Sequence, residues 1–161
     1  MTHATTITVS GDGLELRISR RLAAPPALVF RCFTQAEHLR HWWGPARYEL
    51  VTCEVDARAG GGYRFVQRGP EGDEYSFHGE FLELDPPGRL VQTFVFEGAP
   101  EETVVETLTL TADGDGTLLY GISRFPGREA LDAALQSGMT EGMEETYERL
   151  ETYVASATAA V

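Results

Sequence analysis

Two side chains able to exchange protons, Glu106 and Tyr120, lie on neighbouring strand-like segments of this sequence. Glu106 alternates in phase with Leu108 and Leu110, which predicts that its carboxylate points toward the interior. Tyr120 is in phase with Leu118, so the same direction is predicted for its phenol. Because burial raises the pKa of a carboxyl group, such a pair could polarise a carbonyl or act as acid and base. Glu106 and Tyr120 are therefore the two candidate catalytic residues.

The other polar residues form no recognisable catalytic or metal-binding motif. A structural role for Glu106 stays open, either at the solvent surface or in an ion pair with Arg64 or Arg124. His38 and His41 have a spacing that could ligate a metal on a short helix, but no third ligand is near them in the sequence. No Ser-His-Asp order, nucleotide-binding glycine loop or metal motif is present. We expect no metal and no cofactor, and we favour a protein without turnover.

The charge balance restricts the partners. The formal net charge is −12, and all 13 basic residues are arginine. The missing lysine excludes Schiff-base chemistry on lysine and a Walker-type phosphate loop. An acidic chain is a poor partner for nucleic acid or an anionic membrane, and no apolar stretch approaches the roughly 18 residues of a membrane span. The N-terminus has no signal-peptide pattern, so we expect a cytoplasmic protein, and Cys32 and Cys53 are predicted to be buried free thiols.

The 161 residues are long enough for one domain with a substantial core, and nothing in the sequence indicates a second domain. Large apolar residues alternate between tight turns from Glu54 to Phe96, which predicts an antiparallel sheet with one apolar face. A first strand at 14–22 pairs with a short strand at 6–9, and two short helices follow from Pro26 to Trp42. The remaining strands are predicted near residues 47–57, 61–68, 74–84, 89–97, 103–111 and 117–124.

The final third of the chain changes to helical periodicity. One amphipathic helix is predicted from about residue 128 to 155, although its first turns could form a separate piece, and it should cover the apolar face of the sheet. Its predicted exposed side carries Glu144, Glu148 and Glu151. The positions predicted to be mostly buried are Leu131, Leu135, Met139, Leu150 and Val154.

Several segments occur in a recognisable order: APPALVF at 24–30, EHLRHWWGP at 37–45, DARAGG at 56–61 and GEFLELDPPGRL at 79–90. Together they resemble the START-like (SRPBCC) superfamily, and most closely its activator of heat-shock protein 90 ATPase homologue-like family. The likeness covers about residues 14–155. It implies an α+β helix-grip (Bet v 1-like) fold, with a curved antiparallel sheet wrapped around a long C-terminal helix. Many relatives carry Gly-Trp on that helix, whereas this chain has Gly138-Met139 and Gly142-Met143.

The resemblance implies a cavity between the sheet and the final helix. Trp42 and Trp43, at the end of the second short helix, are predicted near its mouth, one as a structural plug and the other as a gate or a ligand contact. We expect the cavity to bind a small hydrophobic or amphipathic molecule. The alternatives are a polyketide cyclase or dehydratase-like enzyme and a co-chaperone-like protein that binds another protein, as monomer or homodimer. The residues predicted to contact the ligand are Trp42, Trp43, Phe65, Phe77, Phe81, Phe94, Phe96, Glu106, Tyr120, Met139, Met143 and Tyr147.

Overall fold

The computed structural model describes residues 4–159. A hairpin of β1 (Thr6–Val9) and β2 (Glu15–Leu22) precedes two short helices, α1 (Pro26–Thr34) and α2 (Ala36–Trp42). A run of consecutive antiparallel strands follows, and two helices complete the chain. These later elements are β3 (Glu49–Val55), β4 (Gly62–Arg68), β5 (Glu74–Asp85), β6 (Arg89–Phe96), β7 (Val104–Asp113), β8 (Gly116–Arg124), α3 (Arg128–Gln136) and α4 (Met139–Ala159).

All the strands described form one antiparallel sheet in the order β1-β2-β8-β7-β6-β5-β4-β3. From β3 to β8, strands that are consecutive in the sequence pair with each other, and β2 pairs with β8. The helices α1 and α2 carry the chain from β2, on one side of the sheet, to β3 at its far edge. The predicted α+β helix-grip architecture is confirmed, and the predicted strand positions agree with it to within a few residues.

Two bulges interrupt the regular pairing of the strands. The register shifts between Leu50 and Thr52 in β3 and between Phe81 and Glu83 in β5. A bulge bends its strand and increases the local twist, so both favour a sheet with a concave and a convex face. Apolar side chains on the concave side of the sheet point toward the helices. They form one core with residues of α1, α2 and α4.

Gly79 allows an aromatic ring to cross the concave face. It pairs with Tyr63 on β4, and the Tyr63 hydroxyl donates a hydrogen bond past it to the Thr93 carbonyl on β6. A Cβ atom at position 79 would collide with both the Thr93 carbonyl oxygen and the Tyr63 hydroxyl. Only glycine leaves room for this bridge between three strands.

The helix predicted over 128–155 is divided, because the chain breaks between α3 and α4, and its first turns form the separate piece that the sequence left open. Gly138 adopts φ +88° at the break, a conformation that side-chain-bearing residues rarely occupy. Apolar spacing continues across the break, which is why periodicity alone does not reveal it. Leu131, Leu150 and Val154 are fully buried as predicted, whereas Leu135 and Met139 are only half-buried.

Glu151 is a second correction. We predicted it on the exposed side of the helix with Glu144 and Glu148, which are indeed exposed. Glu151 is instead only 7% exposed, and its Oε2 lies 3.1 Å from Nη2 of Arg20, which is 4% exposed. Arg20 alternates with Ile18 and Leu22 on the concave face, so its charge needs a partner from the helix above. Glu151 is buried because it pairs with Arg20, and a helical wheel of the helix alone cannot show this contact.

Candidate ligand site between the sheet and the final helix

The two halves of α4 are packed differently. In the second half Leu150 and Val154 have no exposed surface, and Glu151 is fixed to Arg20. In the first half Met139, Met143 and Tyr147 keep part of their surface accessible. Residues of α4 form one core with residues of the strands and of α1 and α2. The first half of α4 is therefore less completely buried than the second half.

Glu106 on β7 is the carboxylate of this region. It pairs across the sheet with Gln92 on β6, and the Gln92 amide donates a 2.9 Å hydrogen bond to Glu106 Oε1. Burial raises the pKa of Glu106, and the Gln92 hydrogen bond offsets only part of that effect. The predicted inward direction is confirmed. The two arginines considered as partners bind elsewhere, Arg64 to Glu97 and Arg124 to Glu15.

The charge of the Glu106 carboxylate affects two phenols of the interior. Burial raises the pKa of Tyr147 on α4 and of Tyr63 on β4, and in each case the charge of Glu106 raises it further. Tyr63 and Gln92 were not among the residues predicted for the site. Both share the inward phase of Glu106 across paired strands, a signal that requires the strand register as well as the periodicity of one strand.

Aromatic rings continue from this polar group toward α2. The ring of Phe77 lies 5.4 Å from that of Phe94, and Trp43 lies 5.3 Å from Phe77 and 4.8 Å from Phe65. Phe96 contacts Phe77 at 5.4 Å and is 37% exposed, so it lies at the rim of this aromatic group. Five of the predicted contact residues are thus brought together by the structure.

The two tryptophans differ in burial. Trp42 is 2% exposed, and its indole N–H donates a 3.1 Å hydrogen bond to the Cys32 carbonyl. Trp43 is half-buried and contacts the aromatic group described above. Phe81 is fully buried in the core. Trp42 and Phe81 therefore support the site from within rather than line accessible space.

The predicted inward direction of Tyr120 is wrong. Tyr120 is 41% exposed, and its neighbour in phase, Leu118, is 47% exposed. The alternate residues of β8 point inward instead, with Leu119 buried and Gly121 opposite Leu108 on β7. The alternation of apolar residues along β8 predicted the wrong face, because this strand carries apolar residues on both of its faces. The proposed Glu106–Tyr120 catalytic pair does not form.

Two open grooves lie on the outer surface and include none of the interior residues above. One of about 490 Å³ runs along α2 and α4, and one of about 200 Å³ lies beside Tyr48 and Arg68. In the first groove His41 stacks on Tyr153 at 5.1 Å, and His38 Nδ1 lies 2.6 Å from the Tyr153 hydroxyl. Within residues 4–159, no three metal-binding side chains cluster, and no helix is long and apolar enough to cross a membrane.

Both cysteines are buried free thiols, as predicted. Burial raises the pKa of Cys32 to about 11 and also raises that of Cys53. Neither thiol is therefore suited to act as a nucleophile near neutral pH.

Comparison with known proteins defines the family. The model for Activator of Hsp90 ATPase homolog 1-like protein matches residues 23–155. The chain belongs to this family. Membership suggests a ligand-binding or activator role, without indicating which ligand or partner. Among curated proteins, no relative matches the chain.

Solved structures of similar proteins support the same fold. A Rhodobacter sphaeroides protein is 28% identical with a TM-score of 0.86, covering 94% of this chain and 99% of its own. A Nitrosomonas europaea protein is 28% identical with a TM-score of 0.84, covering 93% and 99%. An Arthrobacter aurescens protein, 23% identical over 94% and 91% of the chains, reaches a TM-score of 0.86 and supports the fold alone.

Proposed function

We propose that this member of the family binds a small amphipathic molecule between the concave sheet and the first half of α4, without chemical turnover. One observation carries the proposal. The second half of α4 covers a fully packed core, whereas the first half covers aromatic, methionine and polar side chains that remain partly accessible. Partly apolar sites with a few convergent polar groups are the usual form of small-molecule sites.

The side chains around this region suit a ligand with an apolar body. Phe77, Phe94 and Trp43 offer ring faces and edges, and Met143 on the opposing helix is flexible and can adjust to different shapes. Glu106 and Tyr147 supply hydrogen-bonding groups that would fix the orientation of the ligand.

A fluorescence titration tests the proposal, because Trp43 lies at the site and Trp42 in the core. Fatty acids, flavonoids and polyketide-like aromatics should be titrated while Trp emission and the melting temperature are recorded. A ligand should change the emission and raise the melting temperature by mass action. The Trp43→Phe variant should lose most of the emission change and keep the thermal effect.

Two results would contradict the proposal. In one, no compound of the panel changes either signal at concentrations well above those expected for specific binding. In the other, a ligand raises the melting temperature, but its emission change persists fully in Trp43→Phe. That second result would place binding away from the aromatic group.

A further inference from the structure

The Glu106 carboxylate accepts one hydrogen bond and meets no buried cation. Gln92 is the donor, and among the described residues no other hydrogen bond to the carboxylate is formed. An ionised carboxylate can accept about four hydrogen bonds. The side chain is half-buried, so the lone pairs that Gln92 does not use can accept hydrogen bonds from a group outside the protein.

The interior phenols add little to this acceptor capacity. Tyr63 commits its hydroxyl proton to the Thr93 carbonyl. The Tyr147 hydroxyl forms no hydrogen bond with any residue in the described range 4–159, so it can donate or accept. The complementary group for the Glu106 carboxylate is therefore a donor with several N–H or O–H bonds.

The negative charge of Glu106 and the neighbouring aromatic rings favour a positively charged donor over a neutral one. Phe94 lies two residues from Gln92 on the same strand face, and Phe77 stacks on Phe94. Aromatic faces attract cations, and a positive group would also recover Coulomb energy with an otherwise uncompensated carboxylate. The formal net charge of −12 favours the approach of cations from solution.

We propose that the ligand is a primary amine on a flat apolar body, with its ammonium group bound by Glu106 and its apolar body against Phe77, Phe94 and Met143. The inference rests on the proposed function and specifies the ligand class of that same site. An ammonium group has three N–H donors, which can use the lone pairs of the Glu106 carboxylate that Gln92 leaves free. A carboxylate on the ligand would instead be repelled by Glu106.

Three probes that differ only in the polar group test the proposal: 2-(1-naphthyl)ethylamine, 2-(1-naphthyl)ethanol and 1-naphthylacetic acid. Their affinities should be measured by isothermal titration calorimetry at pH 7. We expect the amine to bind about ten- to a hundredfold more tightly than the alcohol, as for a hydrogen bond to a charged group, and the acid to bind weakest.

Two variants locate the preference. Glu106→Gln keeps the shape and should abolish the advantage of the amine while leaving the affinity of the alcohol within about threefold. Glu144→Gln removes the same charge from an exposed position on α4 and should leave the ranking unchanged.

Every result decides the proposal. If the acid binds as tightly as the amine, or Glu106→Gln leaves the ranking intact, the ligand class is wrong and the binding function stands. Loss of the preference in Glu144→Gln as well would show that overall charge, not Glu106, selects the amine. If none of the three probes binds, the amine class is overturned, and the broader panel then decides the binding function separately.

Discussion

Replacing Arg20 by methionine tests whether the second half of α4 is held by a buried ion pair. The Arg20 side chain is 1% exposed, the Glu151 side chain is 9% exposed, and their charged groups are 3.1 Å apart. Arg20 also donates a hydrogen bond to the Thr5 hydroxyl. Removing one partner of such a pair costs about 3–5 kcal/mol. For a domain of this size, each kcal/mol lowers the melting temperature by about 2–4 °C, so Arg20→Met should lower it by roughly 6–20 °C.

The adjacent arginine provides a matched control in the same thermal denaturation assay followed by circular dichroism. Arg21 pairs with Asp113 at 2.9 Å, but their side chains are 31% and 48% exposed. Exposed pairs contribute about 0–1 kcal/mol, so Arg21→Met should lower the melting temperature by no more than about 4 °C. Equal effects of Arg20→Met and Arg21→Met would refute the structural role assigned to the buried pair. The double variant Arg20→Met/Glu151→Leu should recover much of the lost stability, because apolar side chains replace both charges.

Substitutions of three kinds in the interior should change the stability of the protein in predictable ways. Burial raises the pKa of Glu106, so the folded state keeps the proton to higher pH than the unfolded state; the cost of this burial is absent below the unfolded pKa and develops as pH rises through the folded pKa. The melting temperature of Glu106→Gln should therefore exceed that of the wild type by a margin that grows from pH 4 to pH 8, and a constant margin would contradict the burial effect. Gly79→Ala should destabilise the protein by about 2 kcal/mol or more in urea denaturation, because its Cβ would collide with Thr93 and Tyr63; Gly127→Ala, with nothing within 4 Å, is the control. Trp42→Phe should lower the melting temperature more than Trp43→Phe, because only Trp42 is fully packed and hydrogen-bonded to Cys32, and the reverse order would contradict their assigned roles.

Periodicity and turn residues predict most of this fold because each strand carries its own signal. The glycine and proline turns separate the strands from β3 to β8, and the meander brings consecutive strands together. The position of the break, at Gly138, is not predicted, because the apolar spacing continues from α3 into α4. Gly138 resembles other glycines in the sequence, and only its φ of +88° reveals its role.

The candidate site is predictable only in part. The inward phase of Glu106 follows from β7 alone, but its partner Gln92 depends on the register between β6 and β7. Tyr120 was predicted to face inward because β8 has apolar residues at both phases, and its pairing with β2 and β7 decides the face. The ion pair of Arg20 and Glu151 joins residues 131 positions apart, which no local pattern in the sequence indicates.

Methionine methyl NMR tests the central claim, a ligand beneath the first half of α4, most directly. The chain has three methionines; Met139 and Met143 lie on that half of the helix, and Met1, outside the described residues, supplies a third signal. With [methyl-¹³C]methionine labelling and the tightest-binding naphthyl probe, the Met143 signal should shift in a saturable manner with the same Kd as calorimetry. Met139 should shift less, because it lies one turn further toward the end of the helix. Saturable binding by calorimetry with no shift of either helix signal would contradict the account.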